Sequence, residues 1–533
     1  MINDLQLAGD SSVTCDAQVC IVGAGTAGLF LAKLLRQKGV RVVMLEAGVL
    51  AARSSSEMHQ HCEQRGIDYH GAELGRSFGL GGTSVLWGGQ MIPMAESDFD
   101  ARPGPGFEAW PITYAEIARY FTVVRQHLGL DTGDSPDEPE SSDLLKREFP
   151  DIYKIGGGLK LRLSEWLPFK KRNFAIAFKD MLAKDEGLLV WLNATVTCMA
   201  RWPVGDGAQI ETITAQSSNG RSLHVRASFT VICAGALEST RMLLEFDEAT
   251  QGSISGQGAP LGRYFGDHVS ATCGRFICRD WRSYNLAVAP IFSKGIMRTP
   301  RLELEAAVQR ELGMTSAFAH MPFLTHGDTG FDVLRSILRR RQGEQQHLEF
   351  TRQTMGRVIT DIPTMAYWRW RHKRLWIPCG ADLLLQVDIE QAPNRESRLY
   401  LSPERDALNR KRLIIDWKIQ PSDVQQIRTM AEIVNAGWQG SPLSKLADLQ
   451  LVLPDEIESF SALYDVYHPT GSIRMGNSMR DSVVNKDLQL WGTPNCYVSS
   501  TAVFPSAGSA NPGITHLALT ARLAEKIAQQ IRG

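Results

Sequence analysis

The chain has 533 residues, 43% of them hydrophobic and 22% charged, the balance of a folded globular protein with two or three domains or subdomains. Lys+Arg number 57 against Asp+Glu 58, a formal net charge of −1, which excludes a global basic field for nucleic acid. Nine Cys with no Cys-x-x-Cys pair argue against a disulfide framework or a cysteine-built metal centre, and no apolar run spans a membrane. With no basic, apolar leader at its start, the chain is expected to be cytoplasmic.

The first predicted elements are the most sharply marked. Val19–Val22 is a short apolar strand that runs into Gly23-Ala-Gly25-Thr-Ala-Gly28. A helix follows through Leu29, Ala32 and Leu35, stops at Gly39, and gives way to a second buried strand, Val40–Leu45, with Glu46 at its end. Strand, glycine turn, helix and strand within about 30 residues are the context of a dinucleotide fingerprint. In that reading Gly23 turns the chain tightly, Gly25 admits the pyrophosphate and Gly28 lets helix and strand pack. The helix N-terminus favours the phosphates, and Glu46, 18 residues beyond Gly28, accepts hydrogen bonds from ribose. The motif alone does not separate NAD from FAD.

A second glycine-rich loop spans 75–89, and an amphipathic helix is predicted from about Tyr114. An acidic polar loop covers 134–143. Strands are predicted at Leu188–Thr197 and Phe229–Ala234, with a helix after Gly235. Residues 331–376 hold ten Lys/Arg against four Asp/Glu. They are read as a solvated helical cover over a substrate domain, the alternative being a docking surface for an anionic substrate, partner or membrane. The tail carries Asn511-Pro512 before a long amphipathic helix.

The fingerprint followed by LEAG, the loop GLGGTSVLWGG, the run CAGALESTRMLL and the ending YHPTGSIRMG…NPGITHLALTARLAEKI fall in order along the chain. Together they resemble the glucose–methanol–choline (GMC) family of FAD-dependent oxidoreductases. The Gly-Gly-x-Ser-x-x-Trp form and SSTAVFPSAGSANP look most like its sugar-oxidising branch, that of pyranose oxidase and bacterial sugar dehydrogenases.

The resemblance implies an α/β fold, with a discontinuous Rossmann-like FAD domain (1–100, 190–268 and 461–533). An α+β substrate domain with an antiparallel sheet (101–189 and 269–460) would cover it. It places Gly81, Gly82, Thr83 and Ser84 along the FAD pyrophosphate and ring, Val196 beside the adenine, and Ala234 and Gly235 close to the dinucleotide. Where the family's covalent flavin link uses a histidine this chain has Leu86, so FAD is expected to be noncovalent. The few Cys leave no place for an iron–sulfur relay.

His468, in Tyr467-His468-Pro469, matches the family's catalytic histidine, suited to take the hydroxyl proton while flavin N5 accepts hydride. Asn511, 43 residues on, matches its partner, holding the substrate oxygen; it is also a candidate helix N-cap, with Pro512 at the first helical position. The new helix would aim its positive end at the flavin. His516 is read as a packing residue directed elsewhere and Arg474 as support for its loop or for a cofactor, while Asp267-His268, after GRYFG, resembles the family's Asp-His near the flavin-domain boundary, a purely structural role being the alternative. The expected reaction is oxidation of CH–OH to C=O on a sugar, glycoside or aminosugar. A nonsugar alcohol is the alternative, and a lyase or a noncatalytic flavoprotein the further ones. No motif decides between dehydrogenase and oxidase, or names the electron acceptor; dehydrogenase is the expectation.

Overall fold

The structure is a computed structural model that describes residues 1–58, 60–102, 106–130, 139–204, 207–327, 329–342, 352–453 and 460–533. Of the acidic loop read at 134–143, residues 134–138 fall outside the described residues and 139–143 instead open a helix, Pro139–Glu148; the middle of the basic stretch, 343–351, also falls outside them.

The first sheet starts from β1 (Ile2–Asp4) and β2 (Ser12–Val22). It adds β3 (Val42–Leu45) after the helix α1 (Thr26–Gln37). Its later strands follow the helix α2 (Tyr114–Leu128) and the strand β4 (Leu159–Trp166), which belongs elsewhere. They are β5 (Leu188–Leu192), β6 (Thr195–Val204), β7 (Gly207–Gln216) and β8 (Ser222–Ile232). The order is β1-β5-β3-β2-β8-β7-β6. Pairing is parallel from β1 to β8 and antiparallel across β8-β7-β6. Val19, Cys20, Ile21 and Val42–Leu45 are fully buried, as apolar strands in a sheet covered on both faces must be. The helix α3 (Gly235–Ala249) follows β8.

The second sheet is antiparallel. β9 (His268–Cys278), β10 (Ile296–Leu304), β11 (Ala317–His320), β12 (Asp382–Glu390) and β13 (Ala447–Leu451) join β4 in the order β13-β9-β12-β11-β10-β4. The helices α4 (Gly330–Gln342) and α5 (Arg352–Arg371) lie between β11 and β12 in sequence and pack on each other. The helix α6 (Pro421–Gln439) buries Val424, Ile427, Met430, Val434 and Trp438 against this sheet, an apolar face at helical spacing. It begins sharply because Pro421 occupies its first turn and the Asp423 carboxylate accepts from the Gln420 amide at 2.8 Å.

The chain then returns to the first sheet as β14 (Cys496–Val498), parallel to β8, and ends in α7 (Gly513–Arg532). α7 packs on both α1 and α2, with Ala518, Ala521, Ala524 and Ala528 on its buried face. α2 thus shares a hydrophobic cluster with the first sheet, and Phe174, Phe178 and Leu182 do too. This differs from the grouping of 101–189 with the substrate side.

Where the two halves meet, charge replaces apolar packing. Arg162 and Arg301 are cross-strand neighbours on β4 and β10, and Glu303 pairs with both. Glu165 of β4 accepts from Arg298 at 3.0 Å and from Arg125 of α2, tying the second sheet to the first core. Among the described residues no helix is long and apolar enough to cross a membrane.

Candidate active site

A cavity of about 540 Å³ opens at the carboxyl ends of β2, β3, β8 and β14, the position at which open parallel sheets hold their ligands. Gly23 and Gly25 line it from the first glycine turn, Gly82 and Thr83 from the second, and Val196, Ala234 and Gly235 from the far wall. His468, Asn511 and Pro512 line it as well. The residues predicted from both ends of the chain therefore meet in one space.

The two glycine turns touch. Gly82 has φ +50°, and a Cβ there would sit 2.7 Å from Gly25 Cα. Only a glycine pair lets these loops approach this closely and leaves backbone exposed to a bound dinucleotide. Gly28, Gly81 and Ser84 do not line the cavity. Ser84 is fully buried; its hydroxyl donates to Gly81 O at 2.5 Å and accepts from the Phe174 amide at 3.0 Å, so it closes the loop rather than facing a ligand. Gly81 turns toward Asn173 and Val85.

Glu46 lines the cavity but is already engaged. One carboxylate oxygen accepts from the Ala24 amide at 2.8 Å, the other from the Gly48 amide at 2.8 Å and the Gly79 amide at 3.0 Å. Three of its roughly four lone-pair sites thus join both glycine turns to β3, leaving one for a ribose hydroxyl. Burial pushes the Glu46 carboxyl above its usual range, against these three donors.

The second loop is also held from outside. Gln342, the last residue of α4, donates to the carbonyls of Ser84 (3.3 Å), Val85 (3.2 Å) and Trp87 (3.0 Å). The basic segment is therefore anchored on this loop through one buried amide. Further on, Trp370 and Ile359 of α5 stand 70% and 73% exposed.

His468 follows Tyr467, a non-glycine residue at φ +65°, a strained conformation of the kind that surrounding contacts must impose. Here the contact is Asp267, whose carboxylate accepts from the His468 amide at 2.7 Å, the His268 amide at 2.6 Å and the Tyr69 hydroxyl at 2.7 Å. Burial and the nearby Asp465 raise the Asp267 carboxyl well above the ordinary range, opposed by those donors.

His268 stands directly behind His468. The two Nδ1 atoms are 3.0 Å apart, and His268 Nε2 lies 2.7 Å from the Gly508 carbonyl. A carbonyl only accepts, so His268 is protonated on Nε2 and, when neutral, bare on Nδ1. That bare nitrogen can only accept from His468 Nδ1–H. The proton of neutral His468 is thereby held on Nδ1, and its Nε2, away from His268, is left bare. Burial, His268 and Arg301 together hold His468 well below the ordinary imidazole value, and burial lowers His268. Asp267, His268 and His468 bring ligating atoms within 4.8 Å of one another, but hydrogen bonds within the protein account for this cluster.

Asn511 does not cap α7. The helix starts at Gly513 and no side chain caps it; the Asn511 Oδ1 instead accepts from Arg301 at 3.3 Å, a charged donor that outcompetes a backbone amide. His516 also departs from expectation, because it lies in the cavity wall. The Ser499 backbone takes one ring nitrogen, burial pushes the group down to about 4, and its buried Nε2 has no partner among the described residues. A neutral acceptor facing an otherwise polar cradle fits the hydroxyl and ring N–H donors of FAD, as the glycine turns fit its pyrophosphate. Arg474 donates to Gly106 O at 2.9 Å and pairs with Glu108, supporting its loop.

Arg301, His268 and His516 were missed as site residues. The first was masked by its pattern: charges alternate with apolar residues through RTPRLELE, which reads as a strand with one solvated face, whereas Arg301 and Glu303 are both buried.

Comparison with known proteins agrees with this geometry. Residues 393–520 match the family model described as GMC oxidoreductase, and 16–59 match an FAD-binding domain. The 6'''-hydroxyparomomycin C oxidase of Streptomyces lividus is 22% identical over 96% of this chain and 91% of its own. The C-glycoside 3-oxidase of Arthrobacter globiformis is 38% identical over 28% of this chain and 27% of its own. Among solved structures, pyridoxine 4-oxidase from Mesorbium loti superposes with a TM-score of 0.59 at 17% identity, covering 96% of this chain and 99% of that one.

Proposed function

Because the chain belongs to the GMC oxidoreductases and binds FAD, we propose that it oxidises a hydroxyl of a sugar, glycoside or aminosugar, with His468 as the base and Asn511 as the holder of the substrate oxygen. The observation that carries this reading is the bare Nε2 of His468, fixed by His268 and sharing one cavity with the Asn511 amide.

Gly23, Gly25, Gly82, Thr83, Val196, Ala234 and Gly235 would hold FAD noncovalently, and the flavin would supply the two-electron acceptor that oxidation of the carbinol carbon needs. The protein's own share is the proton and the oxygen. His468 Nε2 takes the hydroxyl proton; the charge that results is shared through Nδ1–H with His268, whose ring Gly508 keeps in place. The Asn511 NH2 donates to the oxygen as negative charge builds on it. The start of α7 beside Asn511 adds the partial positive charge of a helix N-terminus. The two-domain division read from the sequence belongs to the same proposal, except that α2 and the 174–182 segment go with the first sheet, and substrate enters between the two sheets.

Two measurements test it. Anaerobic mixing of the holoprotein with paromamine, a C-glycoside and glucose should bleach the flavin with at least one of them, and faster than 2-methyl-1,2-propanediol or benzyl alcohol. Bleaching confined to the nonsugar alcohols would overturn the substrate class. Air then added should restore the absorbance slowly if the protein is a dehydrogenase. The pH profile of flavin reduction is the second. A base held below its ordinary value stays unprotonated to lower pH, so the rate should be flat through neutrality and fall only below about pH 6.5. An acid limb above that value would contradict the assignment.

A further inference from the structure

Asn511 can turn either its carbonyl or its NH2 toward the substrate, and only the NH2 can donate to an oxygen gaining negative charge. What selects the rotation is therefore part of the reaction machinery. Resting on the reading of Asn511 above, we propose that Arg301 is the positioning residue that sets the Asn511 amide, holding its carbonyl so that its NH2 faces the substrate oxygen.

Arg301 projects from β10 of the second sheet, and its side chain is 1% exposed. Its guanidinium grips the loop before α7 at two points. One nitrogen donates to the Ser509 carbonyl at 2.7 Å and another to Asn511 Oδ1 at 3.3 Å. A guanidinium has donors and no acceptor, so the amide atom it meets must be the oxygen, and the Asn511 nitrogen is directed away from it. The fork is itself fixed: Arg301 Nε lies 3.0 Å from Glu303, and the guanidinium carbon sits 3.4 Å from the centre of the Phe318 ring. Burial lowers Arg301 to about 10, which leaves it a cation at neutral pH, in contact with the Asn511 carbonyl oxygen. Its charge also disfavours protonation of His468 and His268.

A double-mutant cycle separates positioning from general support of the fold. Arg301→Met keeps the stem and leaves Glu303 paired with Arg162 at 2.9 Å, so no carboxylate is stranded. The readout is anaerobic flavin reduction of the holoprotein by whichever alcohol of the panel above bleaches it fastest. Arg301→Met is expected to slow reduction about tenfold to hundredfold with KM within about twofold and FAD content unchanged. In an Asn511→Ala background the same change should cost less than about threefold, because the group it positions is gone.

Equal losses in both backgrounds would overturn the proposal while leaving Asn511 in its role. A fully active Asn511→Ala protein, or a flavin that no alcohol of the panel bleaches, would overturn the reading beneath it as well. Should Arg301→Met fail to fold, Arg301→Lys keeps the cation, loses the two-point grip and is judged by the same cycle.

Discussion

His468→Ala is expected to retain its yellow cofactor and to lose flavin reduction by about 10³-fold, within the range that removal of a general base produces. The separation of the two effects follows from where the side chain stands. His468 lines the cavity, while the glycine loops proposed to hold the dinucleotide are fixed by Glu46, Gln342 and Ser84. Truncation leaves His268 without its donor, but His268 keeps the Gly508 carbonyl, so the loop carrying Asn511 stays in register. Absorbance of the purified variant reports FAD content, and stopped-flow mixing without oxygen reports the rate. A variant that bleaches within about threefold of the parent rate would remove His468 as the base.

Gly28→Ala acts on the first glycine turn. A Cβ at residue 28 would lie 2.0 Å from Gly23 O and 3.3 Å from Ile21 Cγ2. The turn is held in place, because the Gly23 amide is bonded to Leu45 O at 2.7 Å and Gly23 packs so closely on Cys233 that a Cβ at 23 would lie 2.6 Å from Cys233 O. α1 must then lift from β2, and with it the N-terminal amides proposed to face the pyrophosphate. The expected cost is about 1–3 kcal/mol, the scale of overpacking a tight core. Purified protein should carry less than half its complement of FAD and melt several degrees lower. Full occupancy with an unchanged melting temperature would mean that this contact does not govern the cofactor site.

These two residues also mark how far the sequence could be read. Gly28 was legible because its task is local: a strand, a turn and a helix within one stretch, with apolar spacing switching from continuous to helical. The helices from Tyr114 and after Pro512, and the strand before Gly235, were legible for the same reason. His468 and Asn511 came from a tail pattern resembling a family, not from periodicity.

What stayed hidden depends on contacts between distant residues. His268 lies 200 positions from His468, and Arg301 lies 210 from Asn511. Only the folded sheet order brings β9 and β10 under the loop before α7. Glu46 shows the converse: its position after β3 was foreseen, but the demand of three buried amides for an acceptor was not visible in one dimension. α2 was placed on the substrate side by the family resemblance, yet its apolar face packs on α7 near the chain's other end.

The account depends most on a single proton. In holoprotein labelled with [15N]histidine, nitrogen NMR at neutral pH should show His468 uncharged, with its proton on Nδ1 and a bare Nε2, coupled across the hydrogen bond to His268. A His468 imidazolium at neutral pH, or a neutral ring with its proton on Nε2, would contradict the proposed chemistry.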